Sequence, residues 1–205
     1  MHTTGSLRTL VVGMLLVAQL ARPVSAAASA PRESIKAIMA AAQVVFRDPA
    51  LQGADRAPQR RERVRSIIAA AFDFPSMARE SLGPQWNKLT PAQQEDFVQL
   101  FGELFKVSYS NLVLKFLGER EAVFGEEVVQ SDRALVRTTL RDRQGDDLPV
   151  DYKLIENAGQ WRVHDVIVDG VSLAGNYRGQ FSRVIETSSY AALRERIEAK
   201  AKTVE

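Results

Sequence analysis

The side chains able to do covalent or acid–base chemistry are few. Cysteine is absent and histidine occurs twice, at His2 and His164. Thiolate nucleophiles, disulfides and thiolate metal sites are therefore excluded, and so is any site that needs two imidazoles of the mature chain, because His2 lies in a segment read below as a removable leader. His164 alternates with Val163 on a predicted strand that also holds Arg162, the pattern of an ordinary sheet-face histidine. By strict alternation Asp165 shares a strand face with Trp161, Val163 and Ile167. A carboxylate among apolar neighbours needs a partner, and Arg178 is the expected one, with Asp169 the other acid that this arginine could serve. The pairs Glu126-Glu127 and Asp146-Asp147 sit beside turns, where carboxylates are solvated. No phosphate-cradling P-loop, dinucleotide fingerprint or nucleophile elbow occurs. Acid–base resources thus reduce to Asp165 with a tyrosine, Tyr152 or Tyr177, and no metal ligand set or cofactor motif is expected.

Composition points the same way. The chain has 205 residues, of which 45% are hydrophobic and 25% charged, values that call for a packed core and allow one domain. The start carries Arg8 ahead of an apolar run from Leu10 to Ala21 broken by Gln19, then Arg22-Pro23 and the small residues Val24 to Ala28. A run of this length is too short for a membrane span, which needs about 20 residues, and suits a secretory leader. Cleavage is expected after Ala26, leaving residues 27–205 as a single domain. The full chain has 27 Lys plus Arg and 25 Asp plus Glu; residues 1–26 contain two arginines and no acid, so the mature charge is zero. Such a chain has no bulk attraction for nucleic acid. Secretion with no cysteine to anchor a lipid suggests a soluble periplasmic protein.

The elements that must position these groups follow from periodicity. Ile35, Ile38, Met39, Ala42, Val45 and Phe46 recur at helical spacing after Pro31. A breaker-rich loop precedes a second helix, Arg60 to Ala71, with Val64, Ile67 and Ile68 inward and Arg60, Arg61, Arg63 and Arg65 outward as a solvated face. Phe74-Pro75 opens a short third helix that ends near Gly83-Pro84. Thr90-Pro91-Ala92-Gln93 is a capping box with proline at the first helical position, and a long helix to about Leu117 follows. Phe101, Phe105, Tyr109, Leu112 and Val113 fall on one side of Phe97, and Leu100, Leu104, Val107 and Leu114 on the other. The apolar arc is roughly 260° at 100° per residue, where a helix lying on a core shows a stripe of about 100°. This helix must be covered on more than one side, by protein, by ligand or by both.

After Gly118 the period becomes two. Four strands are predicted, Ala122–Val129, Ala134–Arg143, Leu148–Asn157 and Gln160–Val168, separated by hairpin turns. Helical spacing returns through Leu173, Tyr177, Phe181, Val184 and Ile185, and a last helix runs from Tyr190 to Lys202. The fold class is α+β: a helical part over about 31–117, a sheet over about 121–168 and C-terminal helices over about 172–202. Gly170 is expected to turn the last strand into the helix that Ser172 caps.

The blocks Phe72-Asp73-Phe74-Pro75, Leu82-Gly83-Pro84-Gln85-Trp86, Thr90-Pro91-Ala92-Gln93, Val168-Asp169-Gly170-Val171-Ser172-Leu173 and Asn176-Tyr177-Arg178-Gly179-Gln180-Phe181 resemble, in order and over nearly the whole mature chain, the MlaC family of toluene-tolerance or phospholipid-binding periplasmic proteins. The resemblance implies an NTF2-like curved antiparallel sheet packed with helices around an apolar cavity for the acyl chains of a glycerophospholipid. It implies no catalysis, and a shuttle role between an outer-membrane lipoprotein and porin complex and an inner-membrane ABC transporter with an MCE-type subunit, in support of outer-membrane lipid asymmetry. Within that picture the long helix and the sheet are expected to line the cavity with Phe97, Leu100, Phe101, Leu104, Phe105, Tyr109, Tyr152, Val166 and Val168. Phe72, Phe74 and Met77 stand on the helical side, and Val171 and Tyr177 at the mouth. Two other readings stay open on the residues alone: an enzyme using Asp165 with a tyrosine, and a module whose wide apolar helix binds protein segments.

Overall fold

The computed structural model describes residues 30–142 and 144–203; the leader expected over residues 1–26 lies outside them. Six α-helices and five strands occur among the described residues: α1 (Pro31–Arg47), α2 (Ala57–Ala71), α3 (Phe74–Leu82), α4 (Pro91–Glu119), β1 (Glu121–Gln130), β2 (Arg133–Arg141), β3 (Asp147–Asn157), β4 (Gln160–Val168), β5 (Val171–Ser172), α5 (Leu173–Thr187) and α6 (Tyr190–Thr203). The class is α+β, as expected. None of the described helices is long and apolar enough to cross a membrane.

Helix starts follow local chemistry. At α4, Gln93 Oε1 accepts the Thr90 N–H at 2.9 Å while Thr90 Oγ1 accepts the Gln93 N–H at 3.3 Å, so two end groups that no helical carbonyl could serve are paired. Asp73 Oδ1 caps α3 by accepting the Ser76 N–H at 2.9 Å. That helix ends at Gly83 with φ +54°, where an added Cβ would also stand 3.2 Å from the Arg178 side chain.

The sheet is an antiparallel meander in the order β1-β2-β3-β4-β5. Four strands were expected; the fifth is the two-residue β5, which pairs Val171 with Val168 and Ser172 with Ile167. Asp169 and Gly170, at φ +49° and +78°, make a tight hairpin between β4 and β5 rather than a direct strand-to-helix turn. Across the sheet, Val136, Tyr152 and Val166 stand in one row and Thr138, Val150 and Val168 in the next, so one face is almost continuously apolar.

β4 departs from strict alternation. Asp165 pairs with Lys153, but the next pair is Val163 with Leu154, so His164 is an extra, bulged residue. The bulge puts Val163, Val166 and Val168 on one face and turns Asp165 to the other, correcting the face assigned to Asp165 from alternation alone. There the carboxylate is fully buried, accepting from Lys153 Nζ at 3.1 Å, Ser172 Oγ at 2.7 Å and the Ala174 N–H at 3.1 Å. Its cationic partner is Lys153 and not Arg178. Arg178 instead donates to the Glu80 carbonyl at 2.7 Å and pairs with the Glu80 carboxylate at 3.6 Å, because α5 packs on α3 and brings that chain into reach. Ser172 Oγ caps α5 by accepting the Gly175 N–H.

Buried apolar side chains form two bodies. One is a helical core in which Phe97 and Phe101 of α4 meet Tyr177 and Phe181 of α5, and Phe105 meets Phe101, with ring centroids 5.2–6.2 Å apart in edge and tilted geometries. The other is the apolar sheet face with Ile35 and Met39 of α1. Phe72 and Leu173 pack against both.

Asp165→Ala strips a lysine, a hydroxyl and a helix N–H of their shared buried acceptor. Since Lys153 is partly exposed, the loss should be about 2–4 kcal/mol, a fall in Tm of roughly 6–12 °C by calorimetry; a fall under 2 °C would contradict this role. The Glu80 carboxyl is held below its usual range by hydrogen bonding from His164 first, then by the charges of Lys153, His164 and Arg178, against the opposing effect of burial. Its contribution is complete above the ordinary value near 4.5 and fades as pH falls below it. Glu80→Gln should therefore lower Tm at neutral and alkaline pH and flatten the acid limb of the Tm–pH profile, so that variant and wild type converge as pH falls.

Candidate functional site

The two apolar bodies do not close on each other. Between them lies a cavity of about 120 Å³ walled by five parts of the chain. α1 supplies Ile35, Ile38, Met39 and Ala42; α2 supplies Ile67 and Ile68, with Phe72 just beyond it; α4 supplies Phe105, Tyr109, Leu112 and Val113. The sheet supplies Leu140, Leu148, Val150, Tyr152, Val163, Val166 and Val168, and Leu173 closes the wall at the start of α5. Each contribution has a local cause. The α1 residues are its single apolar stripe, at spacings of three and four. Val163 and Val166 both point inward only because the bulge at His164 shifts the alternation by one. Phe72 is held by its β-bridge to Val163 and by the Asp73 N–H on the Val163 carbonyl at 2.8 Å.

The lining carries no ionisable group with an ordinary working pKa. Its polar atoms are the hydroxyls of Tyr109 and Tyr152, and burial pushes both phenols well above their usual range, so both stay protonated and neutral. Among the described residues no group of three or more His, Cys, Asp or Glu side chains could hold a metal. Such a site can shield alkyl surface from water; it offers no nucleophile and no base to a bound molecule.

Six of the side chains expected to line the cavity stand on its wall: Phe72, Phe105, Tyr109, Tyr152, Val166 and Val168. The structure places the others elsewhere. Met77, Phe97, Phe101 and Leu104 are buried in the helical core, with Leu100 packed against it. Tyr177 lies in the same core, 5.2 Å from both Phe101 and Phe181 by ring centroids. Phe74 stacks on Phe72 and meets Phe105 edge-on, behind the wall. Val171 is exposed on β5. The α1 stripe, Ile67, Ile68, Leu112, Val113, Leu140, Leu148, Val150, Val163 and Leu173 line the cavity although the sequence reading did not assign them to it. For α1 the signal was present, as an amphipathic stripe whose partner was not identified.

Comparison with known proteins supports this architecture. The family model described as MlaC protein matches residues 36–199. The toluene tolerance protein Ttg2D of Pseudomonas putida is 28% identical over 121 residues, which are 58% of this chain and 56% of that protein, so the chain matches little more than half the length of this curated relative. The phospholipid-binding protein from Ralstonia solanacearum, solved in complex with a phospholipid, shares the fold with a TM-score of 0.72 at 21% identity, over 85% of this chain and 98% of that one. With the family model covering all six helices and the whole sheet in whole or large part, the chain belongs to the MlaC family.

Proposed function

We propose that the chain is a periplasmic phospholipid carrier that holds acyl chains in the cavity between α1, α4 and the sheet. The observation that carries this reading is the wall itself, apolar on every side, its few hydroxyls neutral at any working pH. A diacyl lipid has about 30 methylenes, and exposing them to water costs on the order of 20 kcal/mol at about 0.8 kcal/mol each. A carrier must hide that surface without forming a bond that it cannot release, and packing against Ile, Val, Leu and aromatic side chains does so. The head group needs no place in the wall and stays hydrated. The phospholipid seen in the Ralstonia solanacearum protein and the toluene-tolerance relative support the ligand class. Donor and acceptor are proposed to be an outer-membrane lipoprotein and porin complex and an inner-membrane ABC transporter with an MCE-type subunit, so that transfer maintains outer-membrane lipid asymmetry.

The α2 arginines could steer that docking, but not as a uniform run. Arg60 donates to the Leu51 carbonyl at 2.7 Å and so fastens the α1–α2 loop, and Arg65 pairs with Glu62. Arg61 and Arg63 are the ones offered to an acidic partner.

Organic extraction and mass spectrometry of the purified protein should yield phospholipid in stoichiometric amount, and none would reject the reading. Leu112 lines the cavity at its exposed rim, so Leu112→Asp should fold with a nearly unchanged Tm yet retain little lipid. Phe97→Ala, by contrast, cuts a cavity in the helical core; it should cost about 3–5 kcal/mol and leave lipid binding intact while the protein is folded. Normal lipid in Leu112→Asp would show that the chains lie elsewhere. Tail burial is hardly screened by salt whereas steering is, so lipid should remain bound in 1 M NaCl while transfer to a partner slows; release by salt alone would contradict the proposal.

A further inference from the structure

We infer that α1 is the wall of the cavity that moves to admit and release acyl chains, and that Arg32, which ties its first turn to β1, is the positioning residue that sets the rate. The inference rests on the carrier reading.

The cavity of about 120 Å³ is smaller than the roughly 300–1,000 Å³ usual for pockets that enclose a small molecule, and a lipid tail is long, so a wall must give. Four parts of the wall are fastened to something else. The strands are hydrogen-bonded to one another along full registers. α4 is locked by its aromatic side chains into the helical core. α2 runs into Phe72, whose backbone is bridged to β4. Leu173 follows β5 directly and begins the helix whose Ala174 N–H is held by Asp165.

α1 differs. Much of its apolar stripe, Ile35, Ile38, Met39 and Ala42, faces the cavity, so when it lifts, methylenes of an entering chain can replace the sheet contacts that it loses, and little apolar surface meets water. Its link to α2 is held where Arg60 takes the Leu51 carbonyl, so the bend at Asp48, with φ −66° and ψ 115°, is the hinge. Its tie to the sheet is polar and lies at the opposite end. Arg32 donates to the Gly125 carbonyl at 2.6 Å and its Nε stands 3.2 Å from Glu127 Oε2. Gly125 and Glu127 belong to the bulge of β1, where Phe124 pairs with Thr138 and the next pair is Glu127 with Val136. Arg32 thus holds the edge strand at its bulge. One turn on, Lys36 lies 5.6 Å over the Phe124 ring. The tie is present only when α1 is down, with or without lipid, so removing it raises the open population in both cases.

The test uses the full mature protein, pyrene-labelled phosphatidylglycerol, and vesicles of phosphatidylethanolamine and phosphatidylglycerol. Arg32→Ala should speed uptake from and release to the vesicles by the same factor, about fivefold, as losing roughly 1 kcal/mol of closure would give. The ratio of bound to free lipid should hold, and Arg32→Lys should return most of the way to wild type. Glu127→Gln removes one half of the tie from the other side and should speed both rates about twofold, which keeps the inference testable if Arg32→Ala does not fold. Because the chain has no cysteine, nitroxides can be placed uniquely at Val44→Cys on α1 and Val129→Cys on β1, both exposed; their distance distribution should hold a minor displaced component that grows in Arg32→Ala, with and without lipid. Unchanged rates in the folded variants, or a label distance distribution that Arg32→Ala leaves unchanged, would overturn the inference and leave the carrier reading standing. Failure of the wild type to take up lipid would reject the carrier reading and the moving wall with it.

Discussion

An apolar sheet face must leave water, and in this protein the helical core that could cover it is already occupied with itself. Phe97 and Phe101 spend their ring surfaces on Tyr177 and Phe181, and the sheet is left to α1 and to the seam at Phe72 and Leu173. One amphipathic helix and two side chains do not fill the concavity of a twisted sheet. The cavity is what remains, and its wall is apolar because every surface around it was selected to be buried by another.

Polar ties on the side of the sheet away from the cavity fasten the helices to the strands. Asp165 joins β3, β4 and the start of α5 through one carboxylate. Glu80 joins α3 to α5 through Arg178 and stands 3.5 Å from His164 on β4. His164 Nε2 is 3.3 Å from Arg133 at the start of β2. The bulge at His164 sets up both arrangements, since the extra residue sends Asp165 to the polar side and keeps Val163 and Val166 on the cavity side. Asp165, Glu80 and His164 thus act as fasteners, and the cavity wall holds none of them.

Much of this was legible in the sequence. The helix starts at Asp73, Thr90 and Ser172 are written in side-chain chemistry that acts within three residues. The apolar breadth of α4 announced that it needs cover on several sides. A helical wheel, however, projects along the axis and discards position along it. The N-terminal half of α4 meets α5 and α6 while Phe105, Tyr109, Leu112 and Val113, further along, meet the cavity, so Phe101 and Leu112, about 20° apart on the wheel, have different neighbours and could not be told apart. The bulge at His164 was illegible because alternation counts residues one by one and an extra residue shows only in the pairing with β3. β5 is too short for any periodic signal, and the reach of Arg178 to Glu80 spans 98 residues of sequence and depends on helix packing.

The central claim, that the wall recognises acyl chains by burying them, is tested most directly by calorimetric titration with a short-chain phospholipid below its micelle concentration, at several temperatures and salt concentrations and with two head groups. Burial of apolar surface predicts a negative heat-capacity change on binding that grows with acyl length and is the same for zwitterionic and anionic head groups. A heat-capacity change near zero, or an affinity that follows head-group charge and falls with salt, would contradict the account.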